Sequence, residues 1–599
     1  MKRSPEKVLN SLMEHSKDSD YKFERLYRIL YNEEMFHLAW QNIYANQGNM
    51  TKGVDGKTAD QMTFVRIERL IESLKNETYQ PHPSRRTYIP KKNGKMRPLG
   101  IPSFNDKLVQ EVVRMILEAI YESSFEHSSH GFRKKRSCHT ALSNIQKTFN
   151  GTKWFIEGDI KGFFDNIDHE ILINCLKERI ADDRFIRLIR KFLNAGYVEN
   201  WKYNKSYSGT PQGGIISPML ANIYLDKFDK YMKQYIQNFD KGTKRRRSKE
   251  AKQFEWKKSC LTRKLRVEQG ETAREELLKA VKDLQRERIK YPHGDAMDET
   301  WKRMKYIRYA DDFLIGVIGS KADCIQIKAD ITQYMSEMLK LELSAEKTLI
   351  TNAKKPAKFL GYDIFIRQSN DTKRDSLNNP IRVFNNRTVL YLTTEVMRKK
   401  LMEYDALTIA NQNGKEVWKP KVRKHLLGLE IKDIVNRYNA EIRGLYNYYS
   451  IANNSSVIDS FYNIMEYSMY STIASKLQSS VRKVIRKFSQ NGEFKIPYTN
   501  KRGEIKHITF YDKGFKRKST NEIICKDNLP LKFTFKHTSL AQRLKACKCE
   551  LCGNKGEAVM YQVRNLKKLK GENEWERKMI VMNRKTLVVC NVCNSKIQQ

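Results

Sequence analysis

The chain lacks the marks of several common protein classes. No run approaches the ~18 apolar residues of a membrane-spanning helix, so no membrane partner is expected. The opening stretch MKRSPEKVLN has no apolar signal core, and secretion is not expected either. Cysteine is sparse, ten in 599 residues, and Cys138, Cys175, Cys260, Cys324 and Cys525 are isolated from one another. This pattern argues against a disulfide framework and fits a reducing cytosol. There is no internal repeat and no long low-complexity tract. Acidic residues are outnumbered, 69 Asp and Glu against 112 Lys and Arg, for a formal net charge of +43 and a pI near 9.7. Such a field attracts polyanions and supports salt-sensitive binding to phosphate backbones. The length predicts roughly four domains.

What is present begins with Tyr309-Ala310-Asp311-Asp312, between the apolar runs Tyr306 to Tyr309 and Phe313 to Ile318. Two β-rich runs joined at a polar dipeptide predict a strand–turn–strand hairpin with two adjacent carboxylates at its tip. Crowded like charges repel unless a cation sits between them. A third carboxylate, Asp159, ends the run WFIEGD, which predicts a half-buried strand with Gly158 allowing close backbone approach. Hard cations such as Mg²⁺ prefer carboxylate oxygen. Two of them about 3.5–4 Å apart stabilise the attacking and leaving oxygens of an in-line phosphoryl displacement.

The surrounding strings carry a family resemblance. YIPKKNGKMRPLGIPS (88–103), HGFRKKRSCHTAL (130–142), WFIEGDIKGFFDNIDH (154–169), YSGTPQGGIISPMLANIYL (207–225), IRYADDFLI (307–315), LELSAEKTLI (341–350) and FLGYDI (359–364) follow in order over about half the chain. Together they resemble the fingers and palm of reverse transcriptases, most closely those encoded by group II introns. The resemblance implies an α+β fold: a right-hand polymerase with an antiparallel palm sheet and a helical thumb, followed by small DNA-binding and zinc-binding domains. It implies that Asp159, Asp311 and Asp312 are the catalytic carboxylates. Asp159, Asp311 and the Ile160 carbonyl would hold two Mg²⁺ ions. Lys91 and Arg97 would grip the triphosphate of the incoming dNTP, where Arg offers bidentate contacts. Phe164 would exclude a 2′-hydroxyl. Gln212 would contact nucleotide and template, its neighbouring glycines allowing close approach of backbone to nucleic acid.

The chain divides into an amino-terminal extension (1–80), fingers and palm (81–370), a thumb or maturase X domain (371–488), a DNA-binding region (489–540) and a zinc-binding end (541–599). A basic insertion at 240–303 opens with Lys244-Arg245-Arg246-Arg247. It continues in helical spacing split by Gly270, and predicts an RNA-binding surface. Ile431 to Tyr449 predicts an amphipathic helix, and a second long helix is expected to carry Phe461 through Val484. RYNAEIRGLYNYYSIANN (437–454) resembles the maturase thumb, and Arg437, Arg443 and Asn447 are its expected RNA contacts. Between 489 and 540, cations interleave with Tyr498, Phe510, Tyr511 and Phe515. That mix suits single-stranded nucleic acid, or a small β-rich domain with those rings as core.

At the carboxyl end stand Cys549-x-x-Cys552 and Cys590-x-x-Cys593. Four such thiols in a reducing compartment predict a tetrahedral structural Zn²⁺. The flanks CELCG and RKTLVVC resemble the H-N-H endonuclease domain of group II intron proteins. That domain needs a His pair after its first knuckle, where this chain reads Tyr561-Gln562-Val563-Arg564-Asn565, and no histidine follows His537. Without an imidazole no general base is evident. The expectation is a zinc-stabilised fold with weak or absent cleavage, in which Arg564 and Asn565 keep DNA contacts.

The sequence therefore predicts an RNA-directed DNA polymerase and splicing cofactor of a mobile group II intron, bound to intron RNA, target DNA and dNTPs in the bacterial cytosol. Alternatives are a domesticated or defence-type reverse transcriptase without an intron, and a non-enzymatic splicing chaperone. No oligomeric state follows from the sequence.

Overall fold

A computed structural model describes residues 4–90, 94, 96–200, 202–210, 213–295, 298–369, 372–374, 376–378, 380–382, 386–490, 492–499, 504–519 and 539–598. Lys91, Gln212, Lys501, Arg502, Cys525 and His537 lie outside the described residues.

The amino-terminal extension is helical. Side chains of Ser4, Asn32 and Thr63 accept first-turn amides of the helices Pro5–His15, Glu33–Ile43 and Phe64–Lys75. Each cap satisfies a donor that the helix itself cannot. The first two helices pack on Phe104–Tyr121, a helix buried on nearly every side. The fingers sheet pairs Ser84–Pro90 antiparallel with Met96–Ile101. Tyr197–Glu199 joins its other edge in parallel.

The palm sheet is antiparallel, in the order Arg303–Tyr309, Asp312–Ile318, Trp154–Asp159, Leu349–Asn352. Side chains alternate across a strand, so one strand can feed two cores. Ile156, Phe313, Ile315 and Val317 enter the core shared with the fingers and the amino-terminal helices. Phe155, Ile307 and Leu314 enter a second core shared with the thumb. The strand ending in Asp159 is thus covered on both faces, where its pattern predicted half-burial. That second core is assembled from the preceding helix, later palm residues and the thumb, and leaves no trace in the strand's own alternation. Gly158 is required there by Phe313, whose ring would lie 2.0 Å from an added Cβ.

The insertion forms two helices, Lys249–Val267 and Glu271–Ile289, split at Gly270, with Ala251 their one buried residue. In the thumb, Ile431–Tyr449 is helical as the spacing predicts. The expected single second helix is instead two, Ile458–Lys476 and Val481–Phe488. Gln478 turns left-handed (φ 48°) and Ser480 caps the second piece, so the break is encoded by a cap inside an unbroken apolar pattern. Beyond it, Glu493–Thr499 and Ile505–Thr509 form a hairpin. Phe510, Tyr511 and Phe515 are buried against the thumb, so those rings are core. Tyr498 stays partly exposed, and Lys506, Lys516 and Arg517 are exposed.

The carboxyl-terminal region folds as a hairpin, Ala558–Gln562 with Thr586–Cys590, followed by the helix Asn591–Gln598. Its own core is small: Cys549, Val563, Met579, Leu587 and Val589.

Candidate active site and metal centre

The palm hairpin pairs Tyr309 with Asp312, leaving Ala310 and Asp311 at the tip. Ala310 lies at φ 57°, a region that costs a non-glycine residue about 1–2 kcal/mol. Such a tip needs an anchor, and Arg308 supplies it. Its side chain is fully buried. Nε donates to Asp229 Oδ1 at 2.8 Å, and Nη2 to Asp229 Oδ2 and to Ser129 Oγ. Nη1 donates to the Ala310 carbonyl at 2.9 Å and to Asn222 Oδ1 at 3.3 Å. All five guanidinium donors are thereby used. Burial opposes the Arg308 charge, and Asp229 more than offsets it, so its pKa moves up. Beneath the tip lies Gly131, where a Cβ would fall 2.3 Å from the Ala310 nitrogen.

Asp159 faces Asp312 across the sheet register, so three carboxylates converge at one end of the palm. Burial, then the charges of Asp311 and Asp159, push the Asp312 carboxyl up to about 7. Burial and Asp159 also raise Asp311, against the opposing pull of Arg97 and Lys347. Lys347 Nζ donates to Asp159 Oδ2 at 2.8 Å, and that bond raises the lysine's own pKa. Crowded oxygen donors, two of them pushed toward the protonated form by burial and like charge, fit hard divalent cations.

The other expected residues take separate places. Arg97 is exposed on Met96–Ile101, opposite Ile89, and close enough to act on Asp311. Ile160 is buried, and its backbone bridges Leu343. Phe164 is half-buried, 5.3 Å from the Phe163 ring and edge-on to Phe132 at 6.3 Å. It lines a cavity of about 410 Å³ with Pro98, Gly100, Tyr207 and Thr210. Gly213 approaches protein instead of open space: its Cβ would meet the Gly100 carbonyl at 2.4 Å. Lys244, Arg246 and Arg247 are exposed, Arg247 paired with Glu255. Arg245 is half-buried over Trp301, 5.1 Å from the ring centre. Arg437, Arg443 and Asn447 are exposed on one face of their helix, and Arg437 pairs with Glu441 at 2.7 Å.

Sequence reasoning missed Lys347, Arg308, Asp229 and Gly131. Lys347, Arg308 and Gly131 lie inside strings that carry the resemblance, but their roles are set by neighbours 80 to 190 residues away.

At the other end of the chain, one Sγ from each of Cys549, Cys552, Cys590 and Cys593 lies within 4.8 Å of the others. Burial works against ionising Cys549, but the amides of Cys552, Cys590 and Leu551 outweigh it and bring the thiol down to about 6. Four convergent thiols, one poised to ionise, suit Zn²⁺.

Comparison with known proteins covers most of the chain. Residues 89–249 and 280–364 match the reverse transcriptase (RNA-dependent DNA polymerase) family, and 385–539 the type II intron maturases. Residues 549–594 match the AI2M/AI1M-like HNH endonucleases. The group II intron-encoded protein LtrA of Lactococcus lactis subsp. cremoris is 42% identical over 598 residues, 98% of either chain. This chain belongs to the group II intron-encoded proteins. As a member, it is a reverse transcriptase of the right-hand α+β fold and an intron splicing maturase. A putative COX1/OXI3 intron 1 protein of Saccharomyces cerevisiae is 34% identical, covering 95% of this chain and 68% of that one. Protein YkfC of Escherichia coli is 34% identical over 59% of this chain and 86% of its own. No described helix of this intron-encoded protein is long and apolar enough to cross a membrane.

Proposed function

We propose that this intron-encoded protein copies its own intron RNA into DNA at the palm, and that its carboxyl-terminal domain no longer cuts DNA. Asp159, Asp311 and Asp312 bear the charge of the reaction, with the Ile160 carbonyl as a further metal ligand. Two Mg²⁺ ions, when bound, supply neutralisation of the attacking and leaving oxygens. The chain's own residues do the positioning. Arg308 fixes the hairpin tip, so the two aspartates are presented in one geometry. Lys347 holds Asp159 in place through its 2.8 Å ion pair. Arg97, with Lys91, binds the triphosphate of a dNTP. Phe164 stands against the sugar and rejects a 2′-hydroxyl, and Gln212 contacts nucleotide and template.

In the same reading, Arg437, Arg443, Asn447 and the exposed cations Lys244, Arg246 and Arg247 hold the intron RNA; Arg245 supports their loop from Trp301. Zn²⁺ on the four cysteines is structural, and Arg564 and Asn565 touch target DNA. The domains follow the divisions at 80, 370, 488 and 540, and the ribonucleoprotein acts in the bacterial cytosol. With no nuclease of its own, it takes its primer from a nascent strand or an existing nick.

The observation that carries this reading is the convergence of Asp159, Asp311 and Asp312 on an anchored hairpin tip. Asp311→Ala tests it. DNA synthesis should fall by about a thousandfold or more, while RNA binding and splicing persist. Equal loss of splicing would refute the separation of roles. Specific cutting of a plasmid target by the protein without catalytic RNA would refute the loss of nuclease activity.

A further inference from the structure

The carboxyl-terminal hairpin is fastened to the other end of the chain. Its strand Ala558–Gln562 lies along the loop 44–62 of the amino-terminal extension. The Met560 amide donates to the Met62 carbonyl at 3.0 Å, an antiparallel bridge. The Gln562 amide donates to Asp60 Oδ1 at 2.8 Å, and its side-chain amide to the Tyr44 carbonyl at 2.8 Å. From the last helix, Asn594 and Gln61 exchange two side-chain hydrogen bonds, at 2.8 and 3.1 Å.

The apolar pattern agrees. Leu587 and Val589 face the small core beside Cys549. Val588, between them, and its partner Met560 face the opposite way. They join the large core that also holds Ala59 and Met62, and Met62, Met560 and Val588 are wholly buried. Gln562 is 3% exposed, and a buried amide of this kind costs free energy unless its partner stays in place. Gln562 lies in the stretch where an active nuclease would carry its imidazoles, and here it is covered by the chain's own loop, while Arg564 stays exposed. Asp60 and Gln61 also form one wall of a cavity of about 870 Å³ that carries Lys52, Lys57, Arg66 and Arg69.

We propose that the zinc-binding end is an intramolecular clamp. The ion fixes the hairpin, and the hairpin holds loop 44–62 and the basic cavity beside it against the fingers. The face of the hairpin that carries Met560 and Gln562 orders the amino-terminal extension, and Arg564 is left free of the clamp. The clamp rests on the zinc reading above, and its test separates the two.

Hydrogen exchange is followed on the full chain at 44–62, 549–594 and 303–318, with zinc per chain measured on the same samples. Cys590→Ser removes a ligand, and the double variant Gln562→Ala/Asn594→Ala keeps all four. Cys590→Ser should lose zinc and speed exchange at 549–594 and at 44–62, each by about tenfold or more. The double variant should keep its zinc and speed exchange at 44–62 alone. Both should leave 303–318 unchanged and still extend a primer on a simple homopolymer. Wild-type protein without zinc overturns the ion's part. Unchanged exchange at 44–62 in the double variant overturns the clamp.

Discussion

Two β-hairpins in this chain gather side chains suited to metal ions, and they are held in different ways. The palm hairpin sits in a four-stranded sheet between two large cores, its tip tied by a buried arginine to Asp229, Ser129 and Asn222. The carboxyl-terminal hairpin has two strands, a core of a few side chains beside its four cysteines, and Met560 and Val588 lent from its other face to the large core. A large core can keep carboxylates crowded and half-buried without a metal, storing repulsion that a cation relieves. A small core cannot pay for order alone, and there the metal belongs to folding. In the function proposed above, a palm metal therefore serves chemistry and a terminal metal serves structure.

The largest break in this comparison should come from the palm anchor. Arg308→Ala leaves the Asp229 carboxylate buried without its partner, a loss of about 3–5 kcal/mol. Denaturant unfolding of the full chain should show it, and added Mg²⁺ should not restore DNA synthesis. Next is Gly131→Ala, which sets a methyl against the Ala310 amide. DNA synthesis should drop by about a hundredfold through displacement of the tip, with RNA affinity unchanged. Chelating zinc should come third. Exchange should rise across 549–594, while primer extension on a homopolymer changes by less than about twofold. The smallest effect belongs to Lys244→Ala with Arg246→Ala, both exposed. Stability should stay within about 0.5 kcal/mol, while the salt dependence of RNA binding loses about one unit of slope per cation removed. A slope that does not move would remove this loop from the RNA surface.

Much of this was legible in the sequence. The hairpin of Tyr309 to Asp312, the helix Ile431–Tyr449 and the break at Gly270 follow from local periodicity and turn chemistry. Three things were not. The two-sided burial of Trp154–Asp159 depends on a second core built from the helix just before it, from palm residues some two hundred positions on and from the thumb, none of which the strand's own alternation records. The break at 477–480 is made by a left-handed Gln478 and a serine cap within apolar spacing that continues through it. The partners of Arg308 and Lys347 come from distant elements, so neither residue differs locally from a solvated cation. The rings at 510–515 were readable either as base-stacking surfaces or as core, and only their burial against the thumb distinguishes the two.

The central claim is best tested on one sample of the full chain stripped of divalent ions. Zn²⁺ or Mg²⁺ is then returned alone, with hydrogen exchange followed at 303–318 and 549–594 beside DNA synthesis. Zn²⁺ should slow exchange across 549–594 and leave synthesis absent. Mg²⁺ should restore synthesis and leave the palm strands as protected as before. A terminal hairpin fully protected without zinc, or palm strands that unfold without Mg²⁺, would contradict the account.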